Sequence, residues 1–380
     1  MISDSWQLSL DTIERKKTRG IPTFFTHLMD IPLLEELAQV PAGTYVKEPE
    51  KTYLKYLHNI GVNCLDQFIP DNPLTMTRHG FEAGTERSAT TGLEIIVRDG
   101  MVIDSPETVV EHLEKYELPR ARRLIMEFDE DVTVKKILNQ EHSLQEKLGP
   151  DILKTGYGYV TFPGFAYGYY GYIHYFSAVA LYPEVIKKVF SIHADYAELH
   201  NSAAARAVIE GNLPRLYRLD HDMTDSRGPL VNIKLLEKIW LPHFQRSIRP
   251  LLKTGINLIW HSDGNIMAMV PYLLDTGIKG FQGFQYETGV DYPKICKMKA
   301  KDGDSLIIVA GASVSDILPH GTPNKVKQHM KWLVENGPRT GSFLAASSSI
   351  TPGTNRANVL TFIEGLRYYR EHHMGSTLDT

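Results

Sequence analysis

Cysteine is nearly absent: Cys64 and Cys296 are the only two in 380 residues. They are far apart and form no Cys-x-x-Cys pair, which excludes a disulfide framework and fits a reducing compartment. Charge of one sign is lacking too. Lys and Arg number 41 against 45 Asp and Glu, a net charge of −4, so no global basic field advertises nucleic acid or an anionic membrane as partner. No window reaches the roughly 18 uninterrupted apolar residues of a membrane span. The start, Met1-Ile2-Ser3-Asp4-Ser5-Trp6, has no basic segment leading into an apolar one. The expected location is the cytoplasm. No Gly-x-Gly-x-x-Gly run follows an early strand, which argues against a doubly wound open sheet with its phosphate loop. No low-complexity linker divides the chain, so residues 1–380 read as one domain.

What the sequence does have is a repeated punctuation mark. An amphipathic helix runs into a Gly, and a strand-like run starts one or two residues later, at Gly61, Gly255 and Gly277, with looser copies at Gly211 and Gly337. Glycine past a helix end takes the left-handed conformation that terminates the helix. Repeated helix-Gly-strand units mean alternating α and β, hence a parallel sheet with helices outside. The expected strands are 61–68, 216–220, 257–261, 280–285, 305–310 and 342–346, with weaker ones near Thr23 and Val160. Eight would close a (β/α)8 TIM barrel, the expected fold. Long helices are expected over 231–254, kinked at Pro242 and Pro250, and over 183–209 with proline in the first turn. Residues 78–108 look different. The run from Leu93 to Val102 carries Asp99-Gly100 between apolar residues, a hairpin signal, and reads as an insertion decorating the amino-terminal region.

In a barrel the strand carboxyl ends converge on one mouth. Asp220-His221-Asp222, His261-Ser262-Asp263, Glu287 and Ser347-Ser348-Ser349 all follow expected strands. Imidazole with carboxylate suits Zn²⁺, and three protein ligands would leave a position for substrate. Asp and Ser at such junctions also cap helices and satisfy loop backbone, so each residue alone has a structural account. The stretch 156–176 is dense in Tyr and Phe. It can wall a pocket for a flat aromatic ligand, through Tyr167, Tyr169 and Tyr172 with His174 as a polar handle, or serve as core or a subunit interface, which leaves a homodimer open. Arg227 can hold a substrate carboxylate or phosphate, or form a surface ion pair. The clusters at 15–17 and 120–123 read as solvated helix faces.

The stretch His261 to Asn265, the segment Ile317-Leu318-Pro319-His320-Gly321-Thr322-Pro323 and the Ala-Ala-Ser-Ser-Ser-Ile-Thr-Pro run at 345–352 together resemble the uroporphyrinogen decarboxylase superfamily, over roughly residues 150–375. That superfamily includes zinc-dependent methyltransferases that serve corrinoid proteins. The resemblance implies a (β/α)8 barrel with its site at the carboxyl mouth. Both branch signatures are altered here. Decarboxylases of the family carry an Arg-rich loop for the porphyrinogen carboxylates, and the comparable stretch Pro22 to Asp30 has no Arg. The methyltransferases carry His-x-Cys and a distant Cys as zinc ligands, where this chain has His261, Asp263 and Ser348. The expected zinc ligands are thus His261, Asp263 and Glu287, a harder N/O set.

The first expectation is transfer of a methyl group from a small methylated donor, an aromatic methyl ether, to a corrinoid carried by a partner protein, since no Asp-x-His-x-x-Gly corrinoid signature occurs in this chain. Asp222 or His221, beside Asp220, would give the departing phenolate its proton. Tyr167, Tyr169, Tyr172, His174, Arg227 and Ser348 would contact substrate. A metal-free decarboxylase, with Asp222 stabilising a developing cation and Arg227 holding the carboxylate, is the second expectation. A non-catalytic binding barrel is the third.

Overall fold

The computed structural model describes residues 3–71, 76–77, 80–81 and 96–372. Its centre is a five-stranded parallel sheet in which Leu216–Asp220, Asn257–His261, Gly280–Gln282, Ile307–Ala312 and Ser342–Ala346 lie side by side in chain order. Their residues are almost all buried, as a sheet covered by helices on its crossovers requires. A two-stranded parallel pair joins Cys64–Leu65 to Leu153–Lys154. Isolated parallel bridges link Thr23 to Leu344 and Gly156 to Tyr217. The expected strand near Thr23 is therefore a single bridge, and the one expected near Val160 is a bridge four residues earlier. At those places the chain keeps its ladder hydrogen bonds over too short a span to leave an alternating signal.

The glycine marks do what their position requires. Gly61 (φ 79°) and Gly277 (φ 110°) cap the helices Pro49–Ile60 and Val270–Thr276 in the left-handed conformation, and Gly255 follows Lys253–Thr254 at φ 74°. Gly211 and Gly337, the looser copies, cap at negative φ. The helix expected over 231–254 is two helices, Ile233–Ile239 and Leu241–Lys253, with Pro242 at the start of the second and Pro250 inside it. Trp240 forms the joint. It is fully buried and donates its Nε1–H to Pro163 O at 2.6 Å. The long helix Pro183–Glu210 matches its expected span closely.

Asp99-Gly100 does turn a hairpin, pairing Ile96–Arg98 with Met101–Ile103, and both turn residues have positive φ. The remainder of the expected strand-like run, Leu93 to Ile95, lies outside the described residues, as do residues 78–79 and 82–92 of the expected insertion. Among the described residues no helix is long and apolar enough to cross a membrane.

One buried ion pair ties a long helix to the two-stranded pair. Lys154 Nζ sits 2.9 Å from Glu141 on the Glu130–Leu148 helix, with both side chains almost wholly buried. Burial pushes the Glu141 carboxyl upward, against the pull of Lys154. Removing one partner of such a pair strands the other charge, whereas removing both need not. Lys154→Met is expected to cost about 3–5 kcal/mol in urea unfolding, and Glu141→Leu/Lys154→Met to recover most of that loss. A loss in the double variant equal to the sum of the two single-variant losses would show that the pair is not coupled.

Candidate active site

The carboxyl ends of two adjacent strands bring the chemistry together. Parallel register places His261 opposite Asp220 on one side and Gln282 on the other. Beyond these residues the two loops are stitched to each other. His221 N donates to His261 O, Met223 N to Ser262 Oγ at 3.2 Å, Asn265 N to Asp225 O at 2.8 Å, and the Thr224 hydroxyl to Asp263 O. The stitching holds Asp222, His261 and Asp263 so that one donor atom of each lies within 4.8 Å of the others. Asp263 N donates to Asp222 Oδ1 at 2.8 Å, and His261 Nε2 faces Asp263 Oδ1 at 4.0 Å.

His261 is nearly buried, and its Nδ1 lies 3.2 Å from Gln282 O. A carbonyl there makes Nδ1 the protonated nitrogen and leaves Nε2 with a free lone pair, the arrangement of a metal-ligating imidazole. Burial pushes the Asp263 carboxyl upward; His261 opposes this, while Asp222, Asp220 and Glu287 add to it. Carboxylates so crowded are relieved by a cation. One imidazole and two carboxylates form a donor set that zinc accepts, with a position left for substrate. The residues therefore fit the metal that the resemblance implies.

The third place in this cluster belongs to Asp222 and not to Glu287. Glu287 sits exposed on the short turn Tyr286–Thr288 and accepts from the Ser315 hydroxyl. His221 is also committed. Its Nε2 accepts from Phe165 N at 2.7 Å, and burial lowers its pKa to about 4, so it is a neutral acceptor and not a proton donor.

Beside the cluster opens a cavity of about 140 Å³, lined by Phe24, Phe25, His27, Gln67, Arg218, Asp220, His261, Gln282, Ala346, Ser348 and Ser349. Arg218, which the sequence analysis passed over, is buried in its wall. Its Nε donates to Asp66 at 2.5 Å and its Nη1 to Asp220 at 2.7 Å, and the guanidinium lies over the Tyr157 ring. Burial pushes the Asp220 carboxyl up, but His261, Arg218 and Tyr157 outweigh it and hold the carboxyl below its usual range.

The aromatic run divides. Tyr167 stacks near His221 at 6.2 Å between centroids, packs on Tyr172 and donates to Asp222 O at 3.2 Å. Tyr169 lies elsewhere, beneath the Arg98 guanidinium, and with Tyr170, Tyr175, Gly164 and Ala166 it lines a separate cavity of about 210 Å³. His174 is half-buried and lines neither cavity. Arg227 is exposed and paired with Asp225 at 2.7 Å, the surface ion pair.

No protein-family model and no curated protein matches the chain. Among solved structures, a methyltransferase from Methanosarcina mazei is similar at a TM-score of 0.54 and 16% identity, over 96% of this chain and 98% of that one. At that identity the likeness shows a shared fold. A B12-independent methionine synthase from a Shewanella species aligns over 92% of this chain and 98% of its own at 11% identity, with a TM-score of 0.44 that carries no argument.

Gly283 leaves no room for a side chain beside His261. Its φ is +68°, and a Cβ there would stand 2.7 Å from both His261 Nδ1 and Ser347 O. Gly283→Ala should displace the imidazole from its carbonyl and weaken zinc binding by about 10–100-fold. Gly303→Ala, at φ +89° with open space around it, is the control for backbone strain. Unchanged zinc affinity in Gly283→Ala would separate His261 from the metal.

Proposed function

We propose that the chain is a methyltransferase on a (β/α)8 barrel, one domain with the hairpin as an insertion, and that it moves a methyl group from a small aromatic methyl ether to a corrinoid carried by a partner protein. The observation that carries this reading is the Asp222, His261 and Asp263 cluster at the strand carboxyl ends, beside a cavity of single-ring size. Ring closure through eight segments is supported by backbone hydrogen bonds outside the five-stranded sheet. Phe24 N donates to Leu344 O, Cys64 N to Thr23 O, Leu153 N to Asn63 O and Gly156 N to Leu216 O. The fold shared with the Methanosarcina mazei methyltransferase agrees with this.

Zinc held by Asp222, His261 and Asp263 would supply Lewis-acid polarisation of the ether oxygen, without which phenolate is a poor leaving group. The rest falls to the chain's own side chains. Tyr167, fixed by its bond to Asp222 O, presents its ring beside the cluster, while Phe24 and Phe25 line the cavity. Since Asp222 is drawn into the cluster and His221 is neutral and committed, the departing oxygen takes its proton from solvent, which reaches the site past the half-exposed Asp263. Tyr172 and Ile173 are exposed next to Tyr167, and give a partner protein an apolar surface at this edge.

A metal-free decarboxylase would need Arg227 at the cavity, but Arg227 points to solvent and Arg218 is spent on two carboxylates. The test is an anaerobic assay with a reduced corrinoid and a methoxylated aromatic, followed by the loss of corrinoid absorbance. Chelation is expected to reduce the rate at least about 100-fold, with recovery on adding zinc, and Asp222→Ala to behave like the chelated enzyme. Full activity after metal removal, or carbon dioxide release without a corrinoid, would overturn the reading.

A further inference from the structure

Two residues of the cavity wall each carry a buried polar atom that no described residue satisfies. His27 Nε2 and Gln282 Oε1 are buried and have no hydrogen-bond partner among the described residues. His27 is 3% exposed, its Nδ1 lies 2.9 Å from Ser349 Oγ, and its ring stacks on Phe25 at 5.6 Å. Gln282 gives its backbone oxygen to His261, which leaves its side chain in the cavity wall. Buried polar groups are normally paired, so an unpaired one in a cavity wall is a place where a ligand's polar atom can be received.

The charge around them narrows the ligand. Asp66, Asp220, Asp222 and Asp263 gather near one buried cation, Arg218, which is already bound to two of them. Among the described residues, a carboxylate would find no free cation there and several like charges. A hydroxyl fits better than an ammonium, because it both donates and accepts. When the Ser349 hydroxyl donates to Nδ1, His27 carries its proton on Nε2, and a ligand hydroxyl can accept from Nε2–H and donate its one proton to the Gln282 amide oxygen. Phe24 and Phe25 offer the apolar faces that a ring needs.

We propose that His27 and Gln282 form a hydroxyl-recognition subsite, and that the donor is a neutral methoxyphenol-type ring and not a methoxybenzoate-type one. This deepens the methyl-transfer reading and rests on it for the word donor, but the subsite itself is tested by binding alone. Titration calorimetry would compare 2-methoxyphenol, 1,2-dimethoxybenzene, 2-methoxybenzoate and phenol on the wild type, His27→Phe and Gln282→Met, with circular dichroism as the check on folding.

The wild type is expected to bind 2-methoxyphenol at least about tenfold more tightly than 1,2-dimethoxybenzene and more tightly again than 2-methoxybenzoate, with the hydroxyl preference lost in whichever variants fold. Equal or tighter binding of 2-methoxybenzoate, a preference that survives in the folded variants, or no binding of any ring would overturn the subsite. Phenol separates the two claims. If phenol and 2-methoxyphenol both bind more tightly than 1,2-dimethoxybenzene and no methyl group is ever transferred, the subsite stands and the methyltransferase reading fails. Methyl transfer from 1,2-dimethoxybenzene without any hydroxyl preference would have the reverse meaning.

Discussion

The parallel register between Leu216–Asp220 and Asn257–His261 is the constraint on which the site depends. Because side chains alternate along a strand, a slip of one residue would send His261 away from Asp220 and toward the helices. The register is secured by a continuous apolar strand: Leu258, Ile259 and Trp260 are wholly buried, and Trp260 packs edge-on against Phe244 and Trp240. With the register fixed, both strands end at the same level, and the loops beyond them can exchange the hydrogen bonds that gather three ligand-type side chains.

The second constraint is electrostatic. A cluster of acids in a half-closed mouth is tolerable only if cations or hydrogen bonds compensate them. Arg218 compensates Asp66 and Asp220 from within the sheet, and its own charge is kept by those two carboxylates against the cost of burial. Asp222 has the Asp263 amide, but among the described residues Asp263 has only the imidazole across a 4.0 Å gap, and burial pushes its carboxyl upward. The uncompensated charge thus sits where a divalent cation would bind.

Much of the sheet was legible in the sequence, because buried parallel strands read as apolar runs and glycine marks the helix ends before them. Leu216–Asp220, Asn257–His261 and Ser342–Ala346 fall where the pattern puts them. The amino-terminal segments were less legible, since two-residue strands such as Cys64–Leu65 leave no period to detect. In the site, His261 and Asp263 follow from their place after a strand. Asp222 as their companion does not, because it depends on hydrogen bonds between loops about 40 residues apart in sequence. Arg218 hid between Tyr217 and Leu219, where it read as part of a strand, and His27 lay in a stretch notable chiefly for lacking arginine. Glu287 had the right chemistry and the right strand, but the chain turns it outward to Ser315.

The most direct test of the central claim is X-ray absorption at the zinc edge on zinc-loaded protein, with zinc per chain measured on the same sample. The account predicts about one zinc per chain with nitrogen and oxygen neighbours only, at about 2.0–2.2 Å, and one imidazole among them. A sulfur shell near about 2.3 Å would place the metal at a cysteine. That result, or a protein that takes up no zinc, would contradict a metal centre built from Asp222, His261 and Asp263.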